Sequence, residues 1–429
     1  MISDNFQKLF EEAKKVREKA HVPYSQFKVG AAFLTEDKSI VVGCNVENAA
    51  YPQSQCAEAS AIGNLISQGY KKIVEIEPNN YKAYNNLGNA LKELGKLKEA
   101  ATSYRQAIKI KSDYTKAHFN LGNILNDFGK FKEAIPSLLL ALKINPNYDE
   151  AHNCLAISYK KLKKFEQAIT HYKKANTSES RAQILQCLYV LKKTNEYSKY
   201  LSKLCKDDPK NIKAASISTF VSNQLNLDNI YPFCKNPLKF IFFKNIKSNF
   251  IPFKKFINSL INECNNLTSV WESRTTKKGF QSKGNLFKLQ ALPILNLKKI
   301  ILEVINEYKI KYKTKPDGFI SRWPNKFSLL GWYNRLLKHG YQQSHIHPGG
   351  WLSGCFYLKM PKQLKKDEGA INFGLHGYDY PIVNSDIPSY QYSPIEGDLI
   401  LFPSSLFHKT LPFSSNDERH VIAFDTIPE

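Results

Sequence analysis

Residues 341–358 read YQQSHIHPGGWLSGCFYL, and the reading of this stretch decides how the C-terminal part of the chain folds. His345 and His347 stand at i and i+2. On an extended strand such residues share a face, so both imidazoles can reach one ion. The Pro-Gly-Gly that follows is turn chemistry, and GWLSGCFYL (residues 350–358) is apolar enough for a buried strand. Further on, GDLILFPSSLFHKTLPF (residues 397–413) supplies His408 just past a strand, after a Pro-Ser-Ser turn. Arg419 follows eleven residues later and opens the strand HVIAF. Three nitrogen ligands on one face, with positions left open for substrate and O₂, suit a non-haem iron centre. Zinc is compatible with three histidines as well.

Working outward, LLGWYNRLL (residues 329–337), GAINFG (369–374) and GDLILF (397–402) are further short apolar strands separated by turn signals. They predict an antiparallel sheet rolled into a double-stranded β-helix, or jelly roll. Before them, LPILNLKKIILEVINEYKIKY (residues 292–312) has helical apolar spacing.

The stretches GFQSKGNLF (residues 279–287), GWYNRLL (331–337), HIHPGGWLSGCFYL (345–358), EGDLILFPSSLFH (396–408) and ERHVIAFD (418–425) occur in one order. Together they resemble a 2-oxoglutarate/Fe(II) oxygenase family often fused to tetratricopeptide repeats. The resemblance implies that His345 and His408 are histidine ligands of the iron and that Arg419 anchors the far carboxylate of 2-oxoglutarate. A guanidinium pairs with a carboxylate bidentately. The wider superfamily has Asp or Glu where this chain has His347, so the site expected here is His345, His347 and His408 around Fe(II).

Upstream, a 34-residue period is plain. Ala83, Ala117 and Ala151 are in phase, as are Leu87, Leu121 and Leu155, and Ala100, Ala134 and Ala168. Gly95 and Gly129 stand where a first helix must end in a left-handed cap. The repeats AYNNLGNALKELGKLKEAATSYRQAIKI, AHFNLGNILNDFGKFKEAIPSLLLALKI and AHNCLAISYKKLKKFEQAITHYKKA resemble the tetratricopeptide repeat over about residues 79–176. The resemblance implies an all-α solenoid whose concave face holds a protein or peptide. Residues 179–235 read as degenerate helical repeats and a linker.

The first segment is different again. Residues 20–73 contain FKVGAA, NVENAAY and CAE, and resemble the first half of cytidine deaminases. That likeness implies nucleoside contacts from Asn45 and Glu47, a zinc ligand in Cys56 and a proton shuttle in Glu58. Activated zinc-bound water needs about three protein ligands, and the downstream Pro-Cys-x-x-Cys that would complete them has no counterpart in the sequence. A sheet cut short in this way is expected to leave its apolar face uncovered.

The expected organisation is therefore a truncated α/β deaminase-like segment (1–76), a tetratricopeptide solenoid (77–178), degenerate repeats with a linker (179–235) and a mainly β oxygenase-like domain (236–429). The function expected is hydroxylation by an iron/2-oxoglutarate oxygenase, with deamination and a non-catalytic interaction protein as alternatives. The formal net charge is +23, but the lysines are spread along the chain and no arginine-rich tract occurs. A nucleic-acid partner is possible and not favoured over a plain Lys-rich surface. Eight scattered cysteines without a CxxC, and no secretory leader or apolar run of membrane length, make a reducing cytoplasm the expected setting.

Overall fold

The computed structural model describes residues 4–23, 28–35, 39–46, 60–61, 64, 73–75, 81–273, 275–315, 317–362 and 364–429. The chain forms two compact units, Met1–Ser180 and Arg181–Glu429. Among the described residues, no helix is long and apolar enough to cross a membrane.

In the first unit, helix α1 (Asp4–Arg17) packs on a small antiparallel sheet of β1 (Gly30–Thr35), β2 (Ile40–Cys44) and β3 (Ile73–Glu75), in the order β2-β1-β3. Six helices follow in three hairpins: α2 (Tyr81–Glu93) with α3 (Leu97–Ile110), α4 (Thr115–Asp127) with α5 (Phe131–Ile144), and α6 (Asp149–Lys161) with α7 (Phe165–Ala175). The in-phase alanines Ala100, Ala117, Ala134, Ala151 and Ala168 are all completely buried. Gly95 and Gly129 take the left-handed conformation, at φ 75° and 72°. Gly122 serves another need: a Cβ there would lie 2.5 Å from Leu138, so the absent side chain lets α4 and α5 close on each other. The expectation that the small sheet lies bare is corrected. Phe33 and Val41 are buried with Ala61 against Ala90 and Leu87 of α2, so the first repeat helix covers part of the small sheet.

The second unit begins within α8 (Ser178–Val190), takes in α9 (Thr194–Asp207) and α10 (Ile212–Leu225) and continues into a curled antiparallel sheet. Strand β7 (Phe327–His345) is its spine. β13 (Arg419–Pro428) pairs with the first part of β7, β12 (Phe407–Thr410) with its end, and β6 (Thr276–Ser282), itself paired with β5 (Ser269–Trp271), along its opposite edge. The main path runs β10 (Ser389–Tyr392), β9 (Ile371–Gly374), β12, β7, β13, β8 (Leu352–Lys359), β11 (Asp398–Pro403), β4 (Phe242–Asn245). Helix α11 (Leu292–Tyr312) buries Ile294, Leu297, Ile301, Val304, Ile305 and Tyr308. Inside the curl, Cys355, Tyr357, Ile371, Phe373, Ile400, Phe402, Val421 and Ala423 form one core.

Within this unit, helix α10 holds a loop of the sheet. The Gln224 side chain accepts hydrogen bonds from the Val383 and Asn384 backbone N–H groups and donates to the Asn384 carbonyl, at 2.7, 2.9 and 2.8 Å. The Tyr189 hydroxyl donates to the Pro381 carbonyl. Phe220 packs against His376 and Tyr380.

Candidate metal centre

His345 and His408 are cross-strand partners, at the end of β7 and inside β12. That places their rings side by side, with centroids 4.3 Å apart. His347 lies beyond the end of β7, in the turn that the Gly350 N–H closes onto the His347 carbonyl. The shared-strand geometry expected for His345 and His347 is thus replaced by a strand end and a turn. The rings still converge, at 5.1 Å from His345 and 4.9 Å from His408. One ligand atom from each of the three histidines lies within 4.8 Å of the others.

Hydrogen bonds fix which nitrogen faces inward. His345 Nδ1 lies 2.7 Å from the Gln343 carbonyl, and His408 Nδ1 lies 3.2 Å from that of Leu406. A carbonyl oxygen only accepts, so both Nδ1 atoms carry the proton. His347 Nδ1 lies 2.6 Å from Asp425 Oδ1, which imposes the same tautomer. Three Nε2 lone pairs are left to meet an ion. Burial, and then the neighbouring His347, push the His345 pKa down to about 3. Burial, then His345 and His347, hold His408 well below its ordinary value. Neutral imidazole is the form that binds a metal. Aromatic walls enclose the group: Trp332 packs on His347, and Phe402 on His408.

The interior holds a second set of polar atoms. Along β13, Arg419, Val421, Ala423 and Asp425 alternate onto one face, two of them in the apolar core. Arg419 is 1% exposed, yet its Nε and Nη1 have no hydrogen-bond partner among the described residues. Its guanidinium stands 5.0 Å from the centroid of the Tyr357 ring, and the Tyr357 hydroxyl is likewise buried without a partner. So are both amide atoms of Asn334 on β7. Buried donors without acceptors are costly, and a dicarboxylate supplies what they lack. The residues present therefore fit both an iron ion and an anionic co-substrate.

Asp425, Ser353, Tyr357 and Asn334 carried no role in the sequence reading. The available signal was an acidic residue six positions after Arg419, hence on the inward face of an otherwise apolar strand. Of the deaminase-like positions, Asn45 accepts a hydrogen bond from the Val29 N–H at 2.7 Å through its side-chain oxygen. Glu47, Cys56 and Glu58 lie outside the described residues. His376 meets the Tyr380 carbonyl, and His420 sits between Tyr333 and Glu418.

Comparison with known proteins agrees with this division. The family described as "Putative 2OG-Fe(II) oxygenase" matches residues 331–425. The cytidine and deoxycytidylate deaminase zinc-binding region matches residues 3–79. Tetratricopeptide-repeat families match residues 70–101, 88–127, 122–163 and 150–181. A cytidine deaminase of Sporosarcina psychrophila is 52% identical over 65 residues, 15% of this chain and 48% of that protein. One of Halalkalibacterium halodurans is 47% identical over 70 residues, 16% of this chain and 53% of that protein. The chain thus spans about half the length of the curated relatives it matches. Among solved structures, YrrB, described as a TPR protein with an unusual peptide-binding site, is 20% identical with a TM-score of 0.32. It overlaps 39% of this chain and 85% of its own. MamA, also 20% identical, scores 0.30 over 33% of this chain and 84% of its own. In chain order, this protein joins a partial cytidine-deaminase zinc-binding segment, tetratricopeptide repeats and a 2OG-Fe(II) oxygenase domain.

Proposed function

We propose that the C-terminal domain is a working Fe(II)/2-oxoglutarate-dependent oxygenase that hydroxylates its substrate. The observation that carries this reading is the convergence of three histidines whose Nδ1 atoms are engaged elsewhere, together with a buried guanidinium that has two unpartnered nitrogens. His345, His347 and His408 would hold the iron, and Arg419 would take the distal carboxylate of 2-oxoglutarate, with Tyr357 and Asn334 as neighbouring polar groups. When bound, iron and 2-oxoglutarate supply the activation of O₂, with decarboxylation of the co-substrate to succinate. The chain's own residues bind and orient. The Nδ1 hydrogen bonds lock the imidazoles in one tautomer, while Trp332, Phe373 and Phe402 keep the surroundings dry.

The tetratricopeptide repeats supply a protein-binding module, and a peptide side chain is the substrate class proposed. Along the first helices of the repeats, Asn120 donates to Asn85 and Asn89, at 2.9 and 3.2 Å, and the exposed Asn89 offers an amide group suited to a peptide backbone.

Anaerobic purification with iron analysis, followed by measurement of succinate release, tests the reading. Wild-type protein should carry one Fe(II) and convert 2-oxoglutarate, and His408→Ala should lose both. Unchanged iron content in the variant would reject the triad. Stoichiometric iron without succinate would favour a non-catalytic interaction protein.

A further inference from the structure

A three-imidazole ligand set is neutral, one negative charge short of the two-histidine, one-carboxylate arrangement. The structure places a carboxylate one hydrogen bond away. Asp425 is 6% exposed, and its Oδ1 lies 2.6 Å from His347 Nδ1. The same oxygen accepts from the Ser353 hydroxyl at 2.6 Å. Ser353 Oγ is also 2.8 Å from Ser404 Oγ, and the Ser404 carbonyl accepts from the His347 N–H at 3.0 Å. Asp425, Ser353 and Ser404 come from β13, β8 and the turn after β11, and all three hold the one histidine that no strand holds.

We propose that Asp425 is a positioning residue for His347 and supplies, through the imidazole, the negative charge that the ligand set lacks. The inference rests on the reading that the triad binds iron. A carboxylate accepting Nδ1–H raises the basicity of Nε2 and fixes the ring plane, and such outer partners are worth about 10- to 100-fold in metal affinity. His345 and His408 donate instead to neutral carbonyls, so the electronic asymmetry of the site is built at His347 alone. A buried carboxylate is stabilised only when paired and hydrogen-bonded, and the serine relay meets that requirement without another cation.

The test uses the full chain, loaded anaerobically with Fe(II) alone. Affinity and the Fe(III)/Fe(II) midpoint potential are measured for wild type, Asp425→Asn and Ser353→Ala, beside thermal unfolding of each metal-free protein. Asp425→Asn keeps shape and acceptor but removes the charge. It should weaken Fe(II) binding 10- to 100-fold and shift the potential upward, because the lost charge stabilises Fe(III) more than Fe(II). Ser353→Ala removes a donor that partly neutralises Asp425, so its potential should shift downward. Opposite shifts cannot arise from a general loosening of the fold, and Ser353→Ala remains informative if Asp425→Asn does not fold. Affinity within about twofold of wild type in Asp425→Asn would overturn the proposal. So would weaker binding with an unmoved potential, or potentials moving the same way in both variants. Wild-type protein that takes up no Fe(II) would instead overturn the metal reading itself.

Discussion

Arg419 is the residue whose surroundings say most about a ligand. A guanidinium 1% exposed, with two of its nitrogens lacking acceptors, is an expensive thing to bury unless something completes it. Arg419→Ala should therefore weaken 2-oxoglutarate binding by about 10-fold or more, since a charge-assisted pair contributes about 1.5–3 kcal/mol. Calorimetry showing equal affinity in the two proteins would reject the assignment. The position of Arg419 was readable from sequence because it opens a short apolar strand after a distal histidine. Asp425 was harder to see. Its role depends on meeting His347, and His347 does not stand on the strand where simple alternation puts it. Strand β7 ends at His345, and its middle is interrupted by His339 at φ 61°, so period-two counting loses phase before it reaches the candidate metal site. The interruption also hid the strand's full length, because LLGWYNRLL is apolar and the following residues are polar.

At the scale of elements, the repeats follow their sequence closely, since each helical hairpin is a local structure with its own caps and small-residue contacts. Gly122 offers a test in which two effects oppose. Alanine in a helix interior gains up to about 1 kcal/mol over glycine, whereas overpacking a filled site costs about 1–3 kcal/mol. With a Cβ placed 2.5 Å from Leu138, the clash should win, and Gly122→Ala should lower stability in urea unfolding. In a Leu138→Ala background the same substitution should stabilise. Failure of the sign to reverse would refute the packing account. A second test lies between α6 and α7. His152 Nε2 donates to the Pro146 carbonyl, so its Nδ1 accepts from His171 Nδ1 at 2.9 Å. Burial, then His152 and Lys174, lower the His171 pKa to about 4. The unfolded chain therefore binds more protons between that value and the ordinary one near 6.5. This contribution to repeat stability is full above about pH 6.5 and is lost as pH falls towards 4. Urea midpoints at pH 7 and pH 5 should differ more for wild type than for His171→Asn, and equal differences would refute the linkage.

For the whole molecule, the three-part order was legible because each part carries its own period or motif. The grouping of α8–α10 with the sheet was not, because it rests on contacts such as Gln224 to Val383 that join residues far apart in sequence. The deaminase-like segment supplies a negative prediction at this scale. With Cys56 as the one zinc ligand its motif provides, the full-length chain should show no cytidine loss above background. Cytidine-to-uridine conversion that disappears on Glu58→Gln would overturn that expectation. Limited proteolysis should cut first before about residue 79, although the cover that Ala90 and Leu87 give to Phe33 and Val41 moderates the difference. The Gln224 clasp bears on a different property, the rigidity of the loop beside the three histidines. The loop it grips carries His376, whose carbonyl accepts from Ser344 beside His345, and Gly377, which packs on Phe407 beside His408. Three hydrogen bonds to one amide hold that loop in place. The conformational entropy of ordering this loop is thus lost during folding, so a ligand held at the three histidines would not have to give up contact energy to order it.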